Sequence, residues 1–237
     1  MQRTILLILF TSAVSGLCSL GFWQLDRADE KRELHKKFES QYNNTPLASK
    51  DVFQEQDLDW RKATLTGTYE KIGILLDNRV VWKKTGYEVL TPFRLSNDHT
   101  VLVNRGWVFN QRSREHVPDL PVPTQVVEIV GYFGPPPVVG INFSDDRSSG
   151  LERLSPEIFR AQRVDFSTLR SEIEISSLMS TVFYLDEAEI GALKVARKQP
   201  GSGAEKHEAY ATQWFSMAFV LAFIGLWNSF RKKDHDD

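Results

Sequence analysis

TILLILFTSAVSGLCSLGFWQL (residues 4–25) and YATQWFSMAFVLAFIGLWNSF (residues 210–230) contain no charged residue and stand near opposite ends of a 237-residue chain. At 1.5 Å per residue, roughly 20 apolar helical residues cross a hydrocarbon layer about 30 Å thick. Each stretch is therefore expected to form a transmembrane helix, with a separate domain at residues 26–209 between them. A cleaved leader competes for the first stretch, because Ala13-Val14-Ser15 offers the small residues at which leaders end. The apolar run continues past that point through Leu17, Leu20, Phe22, Trp23 and Leu25, as a span does. Lipoprotein processing at Cys18 is disfavoured by the bulky Leu17 before it.

Arg3 precedes the first stretch, and Arg231, Lys232 and Lys233 follow the second. Basic residues flank spans on the cytoplasmic side. Both termini are therefore expected inside and the central domain outside, in the periplasm of a bacterium, as a multi-pass protein of the inner membrane. The single cysteine lies within the first stretch, so an outer domain of roughly 180 residues is held by core burial and not by disulfides. A formal charge of -2 with 25% charged residues gives no polybasic surface for nucleic acid, and none is expected as a partner.

Between the spans, charged residues 26–40 carry Leu34 and Phe38 four apart, which predicts that the first helix runs on until Asn43, Asn44 and Pro46 stop it. Runs rich in Val, Ile, Leu, Thr and aromatics predict strands at 62–70, 72–82, 86–95 and 100–109 in the spacing of an antiparallel meander, then at 125–133 and 181–186. Residues 145–150 read as an exposed loop, 166–173 as a short helix and 199–205 as a flexible linker. The expected class is α+β: two transmembrane helices bracketing an extracytoplasmic antiparallel β-sheet or small barrel.

Catalytic patterns are missing. Five histidines are scattered without metal-ligand spacing, and three methionines and one cysteine do not make a copper site. No nucleophile elbow, phosphate loop or dinucleotide fingerprint occurs, so an enzyme is not expected. More informative is the last span, where His207, Ala211, Trp214, Ala218, Ala222 and Gly225 share one helix face. On the first span Ser12, Gly16, Ser19 and Trp23 form a comparable face. Two readings stand. Small residues pack transmembrane helices together, or these faces flank a flat apolar ligand with His207 as an axial metal ligand, the role neutral imidazole takes towards haem iron.

Four motifs occur in order: Gly21-Phe22-Trp23-Gln24-Leu25 with Arg27 and Lys31; Gly86-Tyr87-Glu88-Val89-Leu90-Thr91-Pro92; Val101-Leu102-Val103-Asn104-Arg105-Gly106-Trp107-Val108; and His207-x-x-Tyr210-Ala211-x-Gln213-Trp214-Phe215. With the two bracketing spans they resemble the Surfeit locus protein 1 family, assembly factors for haem-copper cytochrome c oxidase. The resemblance implies a non-enzymatic role in delivering haem a to subunit I of the oxidase or stabilising it there. Haem a would be held transiently, with His207 as its ligand and Tyr210, Trp214, Trp23, Arg27 and Lys31 around it. Subunit I, the enzyme that makes haem a and the lipid bilayer are the implied partners.

Arg27 and Lys31 either hold haem propionates or meet lipid head groups. Gly21, Gln24, Arg105, Gly106 and Trp107 are read as structural motif residues. Trp23 and Gln24 sit where an interfacial belt is expected, Gly106 marks a bulge or corner, and Trp107 belongs to the core. A scaffold that binds no haem is the alternative reading. A membrane sensor is disfavoured by the short inward tails.

Overall fold

The computed structural model describes residues 2–110, 118–137, 150–194 and 199–233. In chain order its elements are α1 (Gln2–Tyr42), β1 (Leu47–Ala48), β2 (Lys62–Tyr69), β3 (Gly73–Val81), β4 (Lys84–Leu95), β5 (Thr100–Phe109), β6 (Val127–Gly134), β7 (Glu152–Arg153), β8 (Ile158–Ala161), α2 (Phe166–Glu172), β9 (Leu178–Leu185) and α3 (Ala204–Lys233). They fall into two compact units, one of Met1–Phe38 with Lys198–Asp237 and one of Glu39–Arg197. The loop expected at 145–150 lies outside the described residues except for Gly150.

The β unit closes on itself. Strands β2, β6, β9, β5 and β4 pair in that order, and β4 returns to β2 through Gly67↔Leu95, Thr68↔Arg94 and Tyr69↔Phe93. This is the small barrel of the sequence reading. Two of the hairpins are those of the expected meander, β3 with β4 and β4 with β5, but β2 passes over β3 to pair with the far end of β4. Most pairs are antiparallel. Parallel pairs join β5 to β9, β3 to β8 and β1 to β2. Parallel neighbours need a crossover connection, and α2 lies in the one that leads to β9. Its N-cap is Asp165, whose carboxylate accepts hydrogen bonds from the backbone N–H groups of Ser167 and Thr168. The closure also depends on missing side chains, because a Cβ on Gly67 would strike the carbonyl oxygen of Arg94 and one on Gly131 that of Tyr184.

Burial alternates along β2, and its inward residues Ala63, Leu65 and Tyr69 join Phe93, Val103, Ile129, Phe133 and Phe183 inside the barrel. Phe133 and Phe183 meet edge to face with centroids 5.1 Å apart. A second cluster lies on the outer face, where Ile74, Leu90, Leu102 and Val182 pack under Phe159 of β8 and Leu169 of α2. Strand β5 is consequently buried on both faces from Thr100 to Trp107, and its apolar run Val101-Leu102-Val103 gives way to the buried polar pair Asn104 and Arg105.

Helices α1 and α3 are long and apolar enough to cross a membrane. Ile5, Leu6, Leu7, Phe219, Val220 and Phe223 stand exposed along them, the arrangement expected of lipid-facing surface. As predicted, α1 runs on through the charged residues and ends at Tyr42, before Asn43, Asn44 and Pro46. Phe38 is buried, but its expected neighbour Leu34 is exposed.

Candidate functional site

Within the helical unit, α1 and α3 pack antiparallel. Gly225 lies against the ring of Phe10, Gly21 against that of Phe215, and Arg32 pairs with Glu208. The half-buried and buried residues of α1 include Phe10, Val14, Leu17, Gly21, Gln24, Ala28, Lys31, His35 and Phe38, spaced alternately four and three apart. Those of α3 include Ala204, Glu208, Ala211, Phe215, Ala218, Ala222 and Gly225 at the same spacing. Such a heptad keeps a seam facing its partner along the helix. A Cβ on Gly21 would stand 2.7 Å from the Phe215 ring, so the glycine lets that ring lie against the α1 backbone, and Phe22 meets the same ring edge-on at 5.2 Å.

The small-residue face predicted for α3 is on this seam. The one predicted for α1 is not: Ser12, Gly16, Ser19 and Trp23 are exposed, and nothing approaches within 4 Å of a Cβ built on Gly16. In an all-apolar span the small residues carry no directional signal, and the larger residues Phe10, Val14 and Leu17 make the contact instead. The linker predicted at 199–205 also packs. Gly201 has φ of 72° and sits against the backbone of Lys31 and His35, where any side chain would collide, and the His35 imidazole bonds the carbonyl oxygen of Pro200 at 3.1 Å through Nδ1.

One polar pair crosses the seam at the level of the sequence-predicted site. His207 Nδ1 lies 2.7 Å from Gln24 Oε1, with both residues half-buried. An imidazole that donates from Nδ1 to an amide oxygen carries its proton there and keeps the Nε2 lone pair. Such a partner is what orients a ligating histidine. Sequence reading placed Gln24 in a motif but did not pair it with His207. The available signal was its place in the heptad with Gly21 and Ala28.

The other residues of the predicted set flank this pair. Phe22 with Phe215, and Arg32 with Glu208, mark one side of the seam. At about 100° per residue in an antiparallel pair, Trp23, Arg27 and Lys31 turn to the opposite side of α1, and His207, Tyr210 and Trp214 to that same side of α3. Trp23 and Tyr210 are 49% and 53% exposed, while Trp214 and Lys31 are half-buried. The Arg27 guanidinium lies 5.8 Å from the Trp23 ring centre and pairs with Glu30 at 2.6 Å. The six residues thus share one flank of the hairpin, where two cations and three aromatic rings accompany the imidazole.

Arg105, Gly106 and Trp107 belong to the barrel unit, where they form the expected bulge. Val89 pairs with Gly106 and Leu90 with Asn104, leaving Arg105 as the extra residue. Gly106 has φ of 113°, and a Cβ there would stand 2.8 Å from the Lys194 carbonyl oxygen. The bulge turns Arg105 into the interior, 1% exposed, where Nε donates to Gly191 O at 2.7 Å and Nη2 to Pro121 O at 2.6 Å. Its guanidinium also lies 5.7 Å from the Tyr69 ring centre. Burial pulls the arginine's pKa down and pushes the Tyr69 phenol's up. Trp107 is buried, as predicted. These three residues shape the barrel.

Comparison with known proteins now bears on this arrangement. The sequence profile of the SURF1 family matches residues 11–219, which takes in most of α1, the barrel and about half of α3. The chain belongs to the SURF1 family. An uncharacterized SURF1-like protein of Mycobacterium bovis is 28% identical over 234 residues, covering 93% of this chain and 80% of its own. A SURF1-like protein of Rickettsia bellii is also 28% identical, covering 94% and 89%. One from Dictyostelium discoideum is 24% identical, covering 86% and 89%. The family is one of cytochrome oxidase assembly factors and not a known enzyme class.

Proposed function

We propose that this protein assists the assembly of haem-copper cytochrome c oxidase by holding haem a beside His207 on its way to subunit I. The observation that carries the reading is the His207–Gln24 bond, which leaves Nε2 as the imidazole's free donor. No group of three or more His, Cys, Asp or Glu able to hold a metal ion occurs among the described residues. A bare ion is therefore poorly served here, whereas a macrocycle brings its own four nitrogen donors and asks the protein for an axial one. The residues present fit such a group.

Haem a supplies a flat apolar macrocycle, an iron with an axial position to fill, and anionic propionates. His207 offers the axial nitrogen, and Gln24 fixes the direction of its ring. Trp23, Tyr210 and Trp214 offer apolar faces, while Arg27 and Lys31 offer positive charge to the propionates. The enzyme that makes haem a would stand upstream and subunit I downstream. The antiparallel pairing sets the basic residues that flank both spans at one end of the hairpin. That supports cytoplasmic termini and a periplasmic domain in a bacterial inner membrane.

The full chain purified in detergent after co-expression with haem a synthesis is expected to show a Soret band that His207→Ala diminishes. Gln24→Leu is expected to weaken haem binding by roughly 10- to 100-fold, the usual effect of losing a partner behind a ligand. An unchanged spectrum in His207→Ala removes the histidine from the site. A scaffold without haem is favoured by one observation, the seam in which Gly21 and Gly225 lie directly against the rings of Phe215 and Phe10. No Soret band in the wild-type chain, together with lowered oxidase activity in a deletion strain, selects it.

A further inference from the structure

The hairpin of β3 and β4 ends in a two-residue turn, Trp82-Lys83, closed by the Val81↔Lys84 pair. Both turn residues have positive φ, 48° and 62°, as a type I′ turn requires. That turn ordinarily takes Asn-Gly, and an indole and a lysine held there carry backbone strain. The strained turn presents Trp82 at 57% and Val80 at 65% exposure. Beside them stands Phe109, also exposed. Lys194 Nζ lies 4.3 Å from the Trp82 ring centre and Lys84 Nζ 5.3 Å from that of Phe109, with Lys83 in the turn itself. None of the three lysines is paired with a carboxylate among the described residues. On a chain of net charge -2, this tip gathers three cations around exposed aromatic and aliphatic surface.

We propose that the β3–β4 tip is a docking surface for the headgroup layer of an anionic phospholipid bilayer. Indole rings settle at the boundary between hydrocarbon and water, and lysines beside them meet phosphate. The tip offers both, on a chain that also carries two membrane-length helices. Nothing in this inference depends on haem. A soluble partner would be met more economically by relaxed side chains on the sheet, whereas a strained turn that pushes Trp82 outward suits shallow insertion.

The test uses the full chain with Cys18→Ser, which removes its only cysteine, and Val80→Cys carrying a nitroxide. Trp82 stays intact. In nanodiscs containing about a third anionic phospholipid the ratio of oxygen to nickel-chelate access at the label is expected to rise several-fold over its value in detergent, and in zwitterionic discs much less so. Lys83→Ala and Lys84→Ala are each expected to lower the docked-to-undocked ratio roughly fivefold, with the thermal melt of the domain unchanged. Equal nickel access in anionic discs, zwitterionic discs and detergent overturns the proposal. Shielding in native membranes but not in discs that hold this protein alone overturns it too, and assigns the tip to a protein partner.

Discussion

The barrel interior is filled by Leu65, Phe93, Ile129, Phe133 and Phe183, whereas the seam between α1 and α3 interleaves Phe10, Leu17 and Phe215 with Gly21, Gln24, Lys31 and His35. The barrel spends most of its buried positions on area removed from water, with Asn104 and Arg105 at the bulge as polar exceptions. The hairpin gives half-buried seam positions to amide, ammonium and imidazole groups, which cost free energy on leaving water unless they have partners. Where a chain keeps polar groups in a seam that Leu and Ala would close, stability alone does not explain the choice. That contrast separates the unit that holds the fold from the unit with a candidate for chemistry.

The contrast breaks most visibly at Phe183. Truncation by Phe183→Ala is expected to cost about 3–5 kcal/mol, a large share of a domain's stability, and to unfold the barrel while α1 and α3 stay helical. Circular dichroism in detergent separates the two signals; a loss below about 1 kcal/mol contradicts the packing described. At Gly21 the effect reverses. Gly21→Leu is expected to strain the seam by about 1–3 kcal/mol and leave the barrel melt untouched. Disulfide formation between cysteines at Phe10 and Gly225, in a Cys18→Ser background, should fall, and unchanged cross-linking counts against the seam.

Tyr69 sharpens the comparison by pH. Its hydroxyl donates to Ile190 O at 3.1 Å, and burial raises its folded pKa above the unfolded value near 10. A raised folded pKa means that the contribution is fully present below pH 10 and is lost as pH rises through the folded value. Domain stability should thus fall above pH 10 by at most about 1.4 kcal/mol per pH unit from this group. Tyr69→Phe should cost about 1 kcal/mol at neutral pH and remove that share of the slope. Identical alkaline slopes in the two proteins would exclude the buried phenol as the cause. The smallest effect belongs to Asp165→Ala, about 1 kcal/mol through loss of the α2 cap, measurable as a shift in the barrel melt.

How much of this was legible in the sequence follows the same division. The positions of β2 to β6 and of β9, the helix at 166–173, the bulge at Gly106 and the burial of Trp107 were readable because turn chemistry and alternation are local signals, whereas the four-residue β8 was not read. The return of β4 to β2 was not, since closure depends on pairs such as Gly67 with Leu95 that are distant in the chain. Two-residue strands such as β1 and β7 carry no pattern at all. In α1 the seam was misplaced because every side of a span is apolar. Its aqueous continuation held the missing information: Ala28 and Phe38 are buried among charged neighbours at heptad spacing from Gly21.

The five-stranded ring also restricts how a client protein can be recognised. A closed ring has no free backbone edge to lend, and the outermost strands of the sheet, β1 and β7, are two residues each. Among the described residues, strand addition finds only short templates, the two-residue outer strands and the end of β3 beyond Leu76, where the pairing with β8 stops. Recognition by this frame falls mainly to side chains and loop tips, which can change by surface substitution without disturbing the hydrogen-bonded ring.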